Sequence, residues 1–192
     1  MPNLYVIAGC NGAGKTTASL SFLPQMLNCY EFVNADSIAA GLSPLQPDKV
    51  AFKAGRIMLD RLRKLIVEKV DFAFETTLST RSYPSLLKHA KDNGYKIWLL
   101  FFWLPSADMA IARVTSRVKN GGHFIPDDVI IRRYYRGITN LINIYSRLVD
   151  NWFVLDNSSI EPQLIAEGNE NIVIQIINEE LWYIISKSSH EH

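Results

Sequence analysis

Short runs of apolar, β-favouring residues alternate along the chain with stretches of helical periodicity. Five of these runs predict strands, at Tyr5–Ala8, Glu31–Ala35, Phe72–Thr76, Ile97–Trp103 and Trp152–Asp156. A sixth run, Ile172–Ile177, predicts an added edge strand, which a short helix through Trp182 and Tyr183 follows. Such alternation is typical of parallel β-α-β units with helices on both faces of one sheet. The sequence therefore predicts an α/β fold, a three-layer sandwich around a five-stranded, mainly parallel sheet with one added edge strand.

The stretches between these runs have the apolar spacing of amphipathic helices. One helix is predicted from about Asp48 to Lys69. Its buried side is expected to consist of five residues: Val50, Ile57, Leu62, Leu65 and Ile66. An earlier helix, which follows the first strand, is expected to carry Leu20 and Leu23 on one face and to end at Pro24.

Residues 106–149 have a different organisation, a helical hairpin interrupted by glycines. One helix begins at Ser106 and breaks at Gly121-Gly122, and a second begins at Pro126. The second has an apolar stripe made of Ile130, Tyr134, Ile138, Leu141, Tyr145 and Leu148. Three arginines fall on its opposite side: Arg132, Arg133 and Arg136. We interpret the hairpin as a mobile, arginine-bearing lid with a glycine hinge.

The length of 192 residues predicts one domain, with a core at 3–105 and 150–189 and the lid at 106–149. The last three residues, His190-Glu191-His192, have the composition of an expression-tag remnant and carry no argument. A net charge of +1 gives no reason to expect a nucleic-acid or membrane partner. Two cysteines and no apparent N-terminal signal predict a cytoplasmic location.

Candidate chemistry begins at residues Gly9 to Thr16, which match the phosphate-binding pattern G-x-x-x-x-G-K-S/T. The motif lies between a predicted strand and a predicted helix, where its mechanism requires it. Its glycines allow successive N–H groups to surround phosphate oxygens, Lys15 reaches the β and γ phosphates, and the Thr16 hydroxyl ligates Mg²⁺. The residues predicted to bind ATP here are Gly9, Asn11, Gly12, Ala13, Gly14, Lys15, Thr16 and Thr17.

Two carboxylates follow neighbouring strands at the edge of the sheet where ligands bind in open α/β folds. Asp36 follows the second strand, and Glu75 ends the third beside Thr76. Either acid is a candidate general base, Mg²⁺ anchor or substrate orienter. The alternatives are an N-cap role for Asp36 and a solvated carboxylate for Glu75.

The lid contributes five candidate arginines: Arg113, Arg117, Arg132, Arg133 and Arg136. A guanidinium meets two phosphate oxygens at once, and at least two of the five are expected to contact phosphate. Arg113 and Arg117 are assigned to ATP, and Arg117, Arg133 and Arg136 to catalysis. Asp36, Glu75, Thr76, Arg81 and His123 are candidate substrate contacts. The alternative for His123, which we prefer, is a polar residue at the lid tip. The Asp156-Asn157-Ser158 turn is either an adenine contact or an ordinary strand end.

Taken in order, these motifs resemble the zeta toxin family of P-loop kinases, over about residues 3 to 157. The matching motifs are Gly9–Thr16, Asn34-Ala35-Asp36, Glu75-Thr76-Thr77-Leu78-Ser79 and Arg117…Gly121-Gly122-His123…Pro126…Arg132-Arg133. The resemblance implies a P-loop kinase-like core that uses ATP and Mg²⁺, with Asp36 as the catalytic base and the lid arginines on the γ-phosphate. It also implies a UDP-N-acetyl sugar as acceptor and a cognate antitoxin as partner. This chain is short, and its lid looks like that of a compact subgroup.

Two hypotheses follow. The first is an ATP-dependent kinase that phosphorylates a hydroxyl of a small molecule; a toxin of a toxin–antitoxin pair is one form of this hypothesis. The second is a regulatory or interaction protein that binds ATP with little or no turnover.

Overall fold

Seven strands form one mixed sheet in the computed structural model, which describes residues 1–189. They are β1 Asn3–Ala8, β2 Glu31–Val33, β3 Phe72–Thr76, β4 Lys96–Trp103, β5 Asn151–Asp156, β6 Gln163–Asn169 and β7 Ile172–Ile176. Across the sheet the order is β2-β3-β1-β4-β5-β6-β7. The first five are parallel, whereas β6 and β7 each pair antiparallel with their neighbour.

Seven α-helices connect or follow these strands within residues 1–189. They are α1 Lys15–Leu27, α2 Ala35–Leu42, α3 Ala51–Glu68, α4 Pro84–Asp92, α5 Ala107–Lys119, α6 Asp127–Asn143 and α7 Glu179–Ser188. Two short 3₁₀ turns, Pro47–Val50 and Tyr145–Arg147, precede α3 and follow α6. None of the helices among the described residues has both the length and the apolarity needed to cross a membrane.

The central strand β1 is covered on both faces. All residues from Leu4 to Ala8 are buried, and successive side chains of a strand point to opposite faces of the sheet. Helices must therefore cover both sides, which confirms the predicted α/β three-layer sandwich. Because the five parallel strands end at the same edge, β1, β2 and β3 deliver their following loops to one place.

The sheet has one strand more than the sequence pattern predicts. Strand β6 was not expected, and it pairs β5 with the predicted edge strand β7. Its sequence, QLIAEGN, lacks a clear apolar run. Only tertiary pairing makes it a strand, and Gly168 leaves room there for the indole of Trp152.

Two helix predictions were wrong in detail. Helix α1 continues through Pro24 to Leu27 instead of ending at the proline. Leu20 is 67% exposed, so the carbonyl that Pro24 leaves unpaired lies on the solvent side, where water can bond to it. In α3, Ile57 is exposed and Val50 lies outside the α-helix, while Ala54 and Met58 occupy the buried face. The other three predicted residues, Leu62, Leu65 and Ile66, are buried as expected, so the error is confined to the N-terminal half of the stripe.

The second helix of the predicted lid, α6, is anchored to the rest of the fold. Four residues of its predicted apolar stripe are buried in the helix: Ile130, Tyr134, Ile138 and Leu141. Because α6 ends at Asn143, Tyr145 is buried in the following 3₁₀ turn instead, and Leu148 after it is only partly buried. In addition, the Tyr134 hydroxyl donates to the Leu104 carbonyl at 2.7 Å, and the Asn140 amide donates to the Leu78 carbonyl at 2.6 Å. These contacts hold the buried face of α6 against the residues that follow β3 and β4. Lid movement stays a prediction, and it concerns α5 and the connection to α6 more than α6 itself.

Gly137 on α6 provides a test of this packing. A Cβ there would lie 2.7 Å from the Thr77 carbonyl oxygen. Gly137→Ala is expected to lower the free energy of unfolding by about 1–3 kcal/mol, as measured by urea denaturation, because α6 must move away from the β3 end.

Gly55→Ala is the matched control, since Gly55 is also helical and a Cβ there meets nothing within 4 Å. It should stabilise the protein by roughly 0.5–1 kcal/mol. Equal stabilisation by both substitutions would contradict the close approach of α6.

Candidate active site

The phosphate-binding loop connects β1 to α1 and is contacted by Asn157, the residue that follows β5. Gly14 has a left-handed backbone with φ 81°, and a Cβ there would lie 2.5 Å from Asn157 Nδ2. The same amide donates to the Ala13 carbonyl at 2.6 Å. Asn157 therefore fixes the loop, and its side-chain amide is already engaged. Of the two interpretations of the 156–158 turn, the structure supports a structural role.

Lys15, at the first position of α1, is buried and points into the loop. Its Nζ donates to the Cys10 carbonyl at 3.0 Å and lies 3.3 Å from Glu75 Oε1. This geometry places the ammonium group within the curve of the loop, where phosphate oxygens bind in P-loop proteins.

Glu75 at the end of β3 contacts three other polar side chains of the site. Its Oε2 accepts hydrogen bonds from Thr16 Oγ1 at 2.6 Å and from Asn34 Nδ2 at 2.7 Å. With Lys15 on its other oxygen, the carboxylate is held by three groups, so it is not a solvated strand-end acid. The Thr16 hydroxyl and Glu75 are the hard oxygen donors that Mg²⁺ prefers, and they fit a magnesium shared with bound phosphates.

Asp36 does not cap α2, because Asn34 does. Asn34 Oδ1 accepts from the backbone N–H groups of Asp36 and Ser37 at 2.8 and 3.2 Å. Asp36 lies in the first turn with its carboxylate exposed. Sequence reasoning missed this double role of Asn34. The preference of N-caps for asparagine directly after a strand was the available signal.

Arg133 is the α6 arginine that reaches the loop. Its Nη1 donates to Asn11 Oδ1 at 3.0 Å, and its side chain lines the same cleft as Asp36. Burial lowers the pKa of the Arg133 guanidinium, the nearby Asp36 opposes this, and Arg132 adds to the lowering. Arginine stays protonated nonetheless.

The two α5 arginines lie on the other side of the loop. Arg113 donates to the carbonyls of Asn157 and Ser158 at 2.8 and 2.9 Å, and Arg117 donates to the His123 carbonyl at 3.2 Å. Both line the cleft over the phosphate-binding loop. Arg113 thus has structural partners in addition to its predicted contact with ATP.

Other predicted site residues lie elsewhere. Arg132, Arg136 and Arg81 are exposed and line neither cleft beside the loop. The His123 imidazole lies 2.8 Å from Asp48 Oδ1, which ties the α5–α6 connection to the 3₁₀ turn before α3. The structure therefore assigns His123 a contact between two loops rather than a position in the cleft lining.

Two clefts meet at the loop. One, of about 180 Å³, extends over Thr16 and Thr17 toward α5. The other, of about 290 Å³, extends toward the β3–α4 connection and the start of α3. Four side chains line both: Asn11, Lys15, Asp36 and Glu75. We call these the donor cleft and the acceptor cleft, respectively.

Cys10 in the loop supports a prediction about pH. Burial raises the pKa of the Cys10 thiol to about 11 despite nearby Lys15 and Arg113, and burial with Asp71 raises the pKa of Cys29 to about 11. Between about pH 9 and pH 11, both thiols keep their protons in the folded protein. In the unfolded chain, where their pKa is near 9.0, they lose their protons in the same range. The resulting stabilisation is complete below pH 9 and is lost as the pH rises toward 11.

We expect the free energy of unfolding to fall by up to roughly 1 kcal/mol per pH unit for each thiol in this window. Urea titrations at pH 8, 9 and 10 measure it. Replacing both Cys10 and Cys29 with alanine should flatten the decline. An unchanged decline in that variant would contradict the assignment.

Comparison with solved structures identifies the fold. A chain of the AvrRxo1-ORF1:AvrRxo1-ORF2 complex, solved with sulphate ions, superimposes with a TM-score of 0.74 at 17% identity over 97% of this chain. Our chain covers 64% of that chain, slightly less than two thirds. A chain of the PezAT toxin–antitoxin system of Streptococcus pneumoniae gives a TM-score of 0.69 at 15% identity, covering all of this chain and 87% of that one. Shikimate kinase from Acinetobacter baumannii gives 0.52 at 16% identity, covering 97% of this chain and 94% of that one.

The protein therefore has the fold of the zeta-toxin-like P-loop kinases, as the sequence motifs predicted. By sequence, it belongs to the same family as an uncharacterized protein of Haemophilus influenzae, which is 33% identical over 126 residues, or 66% of this chain and 88% of that protein. No family model matches the chain.

Proposed function

We propose that this protein is an ATP-dependent phosphotransferase that moves the γ-phosphoryl group of ATP to a hydroxyl of a small molecule. The observation that carries the proposal is the junction of two clefts at Asn11, Lys15, Asp36 and Glu75. A kinase needs a phosphate site and an acceptor site that share the point of transfer. A protein that only binds ATP has no need of the second cleft.

On the donor side, the loop N–H groups and Lys15 bind the phosphates. Thr16 and Glu75 would hold Mg²⁺, which when bound neutralises charge on the phosphate oxygens. Arg117 from α5 and Arg133 from α6 approach the loop from opposite sides. They are suited to stabilise the charge that spreads over the transferring group.

On the acceptor side, Asp36 orients the attacking hydroxyl and accepts its proton. Its carboxylate is exposed at the junction of the clefts. Asn34 caps α2, so the Asp36 carboxylate is not used as the N-cap. Arg133 lies close enough for its charge to interact with Asp36. The guanidinium can therefore hold the carboxylate near the incoming phosphoryl group.

The proposal is tested by incubating the purified chain with MgATP and a bacterial small-molecule extract, followed by mass spectrometry. We expect ADP together with an organic phosphate ester that forms only when the wild-type protein is present. ATP hydrolysis to inorganic phosphate, or ATP binding without turnover, would instead favour the regulatory hypothesis.

A toxin role is a second proposal, and the solved PezAT toxin–antitoxin system supports it by similarity of fold. We infer that the chain acts with a protein partner that blocks the nucleotide cleft. Inducible expression should arrest bacterial growth, and Lys15→Met should abolish the arrest. Normal growth during strong expression of the wild-type chain would contradict this role while leaving the kinase proposal intact.

A further inference from the structure

The acceptor cleft contains polar groups that the phosphoryl transfer itself does not use. Its wall away from the phosphate-binding loop is formed by the β3–α4 connection, which contributes Thr77, Thr80 and Tyr83. This wall is rigidly held. Leu78 within it adopts a left-handed backbone with φ 53°, and Asn140 of α6 bonds to its carbonyl.

Tyr83 presents a phenol with hydrogen-bonding capacity to spare. Its ring packs against Phe74 at a centroid distance of 5.0 Å, which fixes its direction. Its hydroxyl donates to Met58 Sδ at 3.8 Å, and a thioether is a weak acceptor. Burial raises the pKa of the Tyr83 phenol, and a hydrogen bond with the Thr76 side chain opposes this, so the O–H is protonated at physiological pH and its donor capacity is used by the weak sulfur acceptor. A ligand hydroxyl would be a better partner than the sulfur.

The charges of the acceptor cleft are already matched. Its lining contains two acids, Asp36 and Glu75, and two bases, Lys15 and Arg133. Lys15 is paired with Glu75 and directed at the phosphate loop, whereas Arg133 is bonded to Asn11 and close to Asp36. Both cations already have a proposed role at the phosphates of ATP, so the lining offers no additional cation to a carboxylate or phosphate on the acceptor, whereas Asp36 would repel such a group.

The cleft volume of about 290 Å³ favours a small acceptor. A cavity of about 150 Å³ binds benzene, so this volume corresponds to roughly twice the number of carbons in benzene. A single sugar or cyclitol ring has a comparable number of non-hydrogen atoms. A complete sugar nucleotide is several times larger.

We propose that the acceptor is a neutral polyhydroxylated molecule of monosaccharide or cyclitol size, whose non-reacting hydroxyls are bound by Tyr83 and Thr80. This inference rests on the proposed kinase function. In the reaction, the acceptor oxygen forms a bond to the γ-phosphorus as the bond to the β,γ-bridging oxygen breaks. ADP leaves with that electron pair, and the hydroxyl proton passes to Asp36 and then to solvent.

The test uses the full chain, γ-labelled ATP and Mg²⁺ with matched acceptors: neutral hexoses, N-acetylhexosamines and inositols against sugar acids, sugar phosphates and UDP-sugars. We expect a neutral polyol to be phosphorylated with a kcat/KM at least about tenfold above that of every anionic compound. Preferred transfer to an anionic acceptor would overturn the acceptor class and leave the kinase function standing. Release of inorganic phosphate only, with every acceptor, would overturn both.

Two variants test the named residues with the preferred acceptor. Tyr83→Phe and Thr80→Val should each raise the acceptor KM about three- to tenfold, the effect of one lost hydrogen bond, without changing the KM for ATP. Tyr30→Phe is the matched control, since Tyr30 is 76% exposed and lines neither cleft. An acceptor KM that neither Tyr83→Phe nor Thr80→Val changes would overturn the assignment of these residues.

Discussion

Replacing Lys15 with methionine is expected to lower phosphoryl transfer by about three orders of magnitude. Lys15 is buried beside Glu75 and inside the phosphate-binding loop, where its ammonium meets the charge that develops on the transferring group. Methionine fills a similar volume and removes the charge together with the hydrogen bond to the Cys10 carbonyl. Glu75 keeps its hydrogen bonds from Thr16 and Asn34, so the variant should remain folded. Steady-state kinetics of ADP formation in the presence of acceptor measure the effect.

Lys64→Met is the control for this experiment. Lys64 is 68% exposed, and its ion-pair partner within residues 1–189 is the surface residue Glu68, at 3.8 Å. We expect the control to keep wild-type kinetics, and thermal denaturation should show that both variants fold. Full activity in the folded Lys15→Met variant would contradict the assigned phosphate site.

Replacing Asp36 with asparagine is expected to lower kcat by about 10²–10⁴-fold, the usual contribution of a positioned acid or base. The KM for ATP should change little, because the phosphates are bound by the loop and Lys15. Asparagine keeps the size of the side chain and can still orient a hydroxyl, but it cannot accept the proton. The effect should therefore fall on kcat.

Asp108→Asn provides a matched control for helix electrostatics. Asp108 lies in the first turn of α5, as Asp36 does in α2, so both substitutions remove the same favourable interaction with a helix N-terminus. Equal losses of activity in the two variants would show that Asp36 acts through the stability of its helix and not at the reacting hydroxyl.

The fold was largely predictable because its signals are local. The apolar runs of β1, β3, β4 and β5 are long enough to identify buried strands, and the glycine-rich loop identifies the strand–helix junction after β1. Strand β6 was not predictable in this way, since its strand character comes from its partners β5 and β7. The continuation of α1 through Pro24 was not predictable either. The helix tolerates the proline because one side of it faces water.

The candidate site was predictable in part. Spacing located Glu75 and Asp36 at neighbouring strand ends, and the structure brings both to the junction of the two clefts. Spacing also showed that Arg132, Arg133 and Arg136 share the polar side of α6. Which of them meets the loop depends on how Tyr134 and Asn140 anchor the helix, and this is a tertiary property. In the hydroxyl-bearing wall of the acceptor cleft, Thr77 belongs to the motif that was recognised after the third strand. Thr80 and Tyr83 left no sequence signal, because threonine and tyrosine are common in loops.

A single-turnover experiment tests the central claim most directly. Wild-type protein is mixed with less than one equivalent of γ-labelled ATP, Mg²⁺ and acceptor, quenched, and separated into ATP, protein, inorganic phosphate and organic phosphate. We expect the label to pass from ATP to the organic phosphate ester in the wild type, and far more slowly in Lys15→Met and Asp36→Asn. Label that collects in inorganic phosphate or on the protein, or equal transfer by the variants, would contradict direct phosphoryl transfer at the junction of the two clefts.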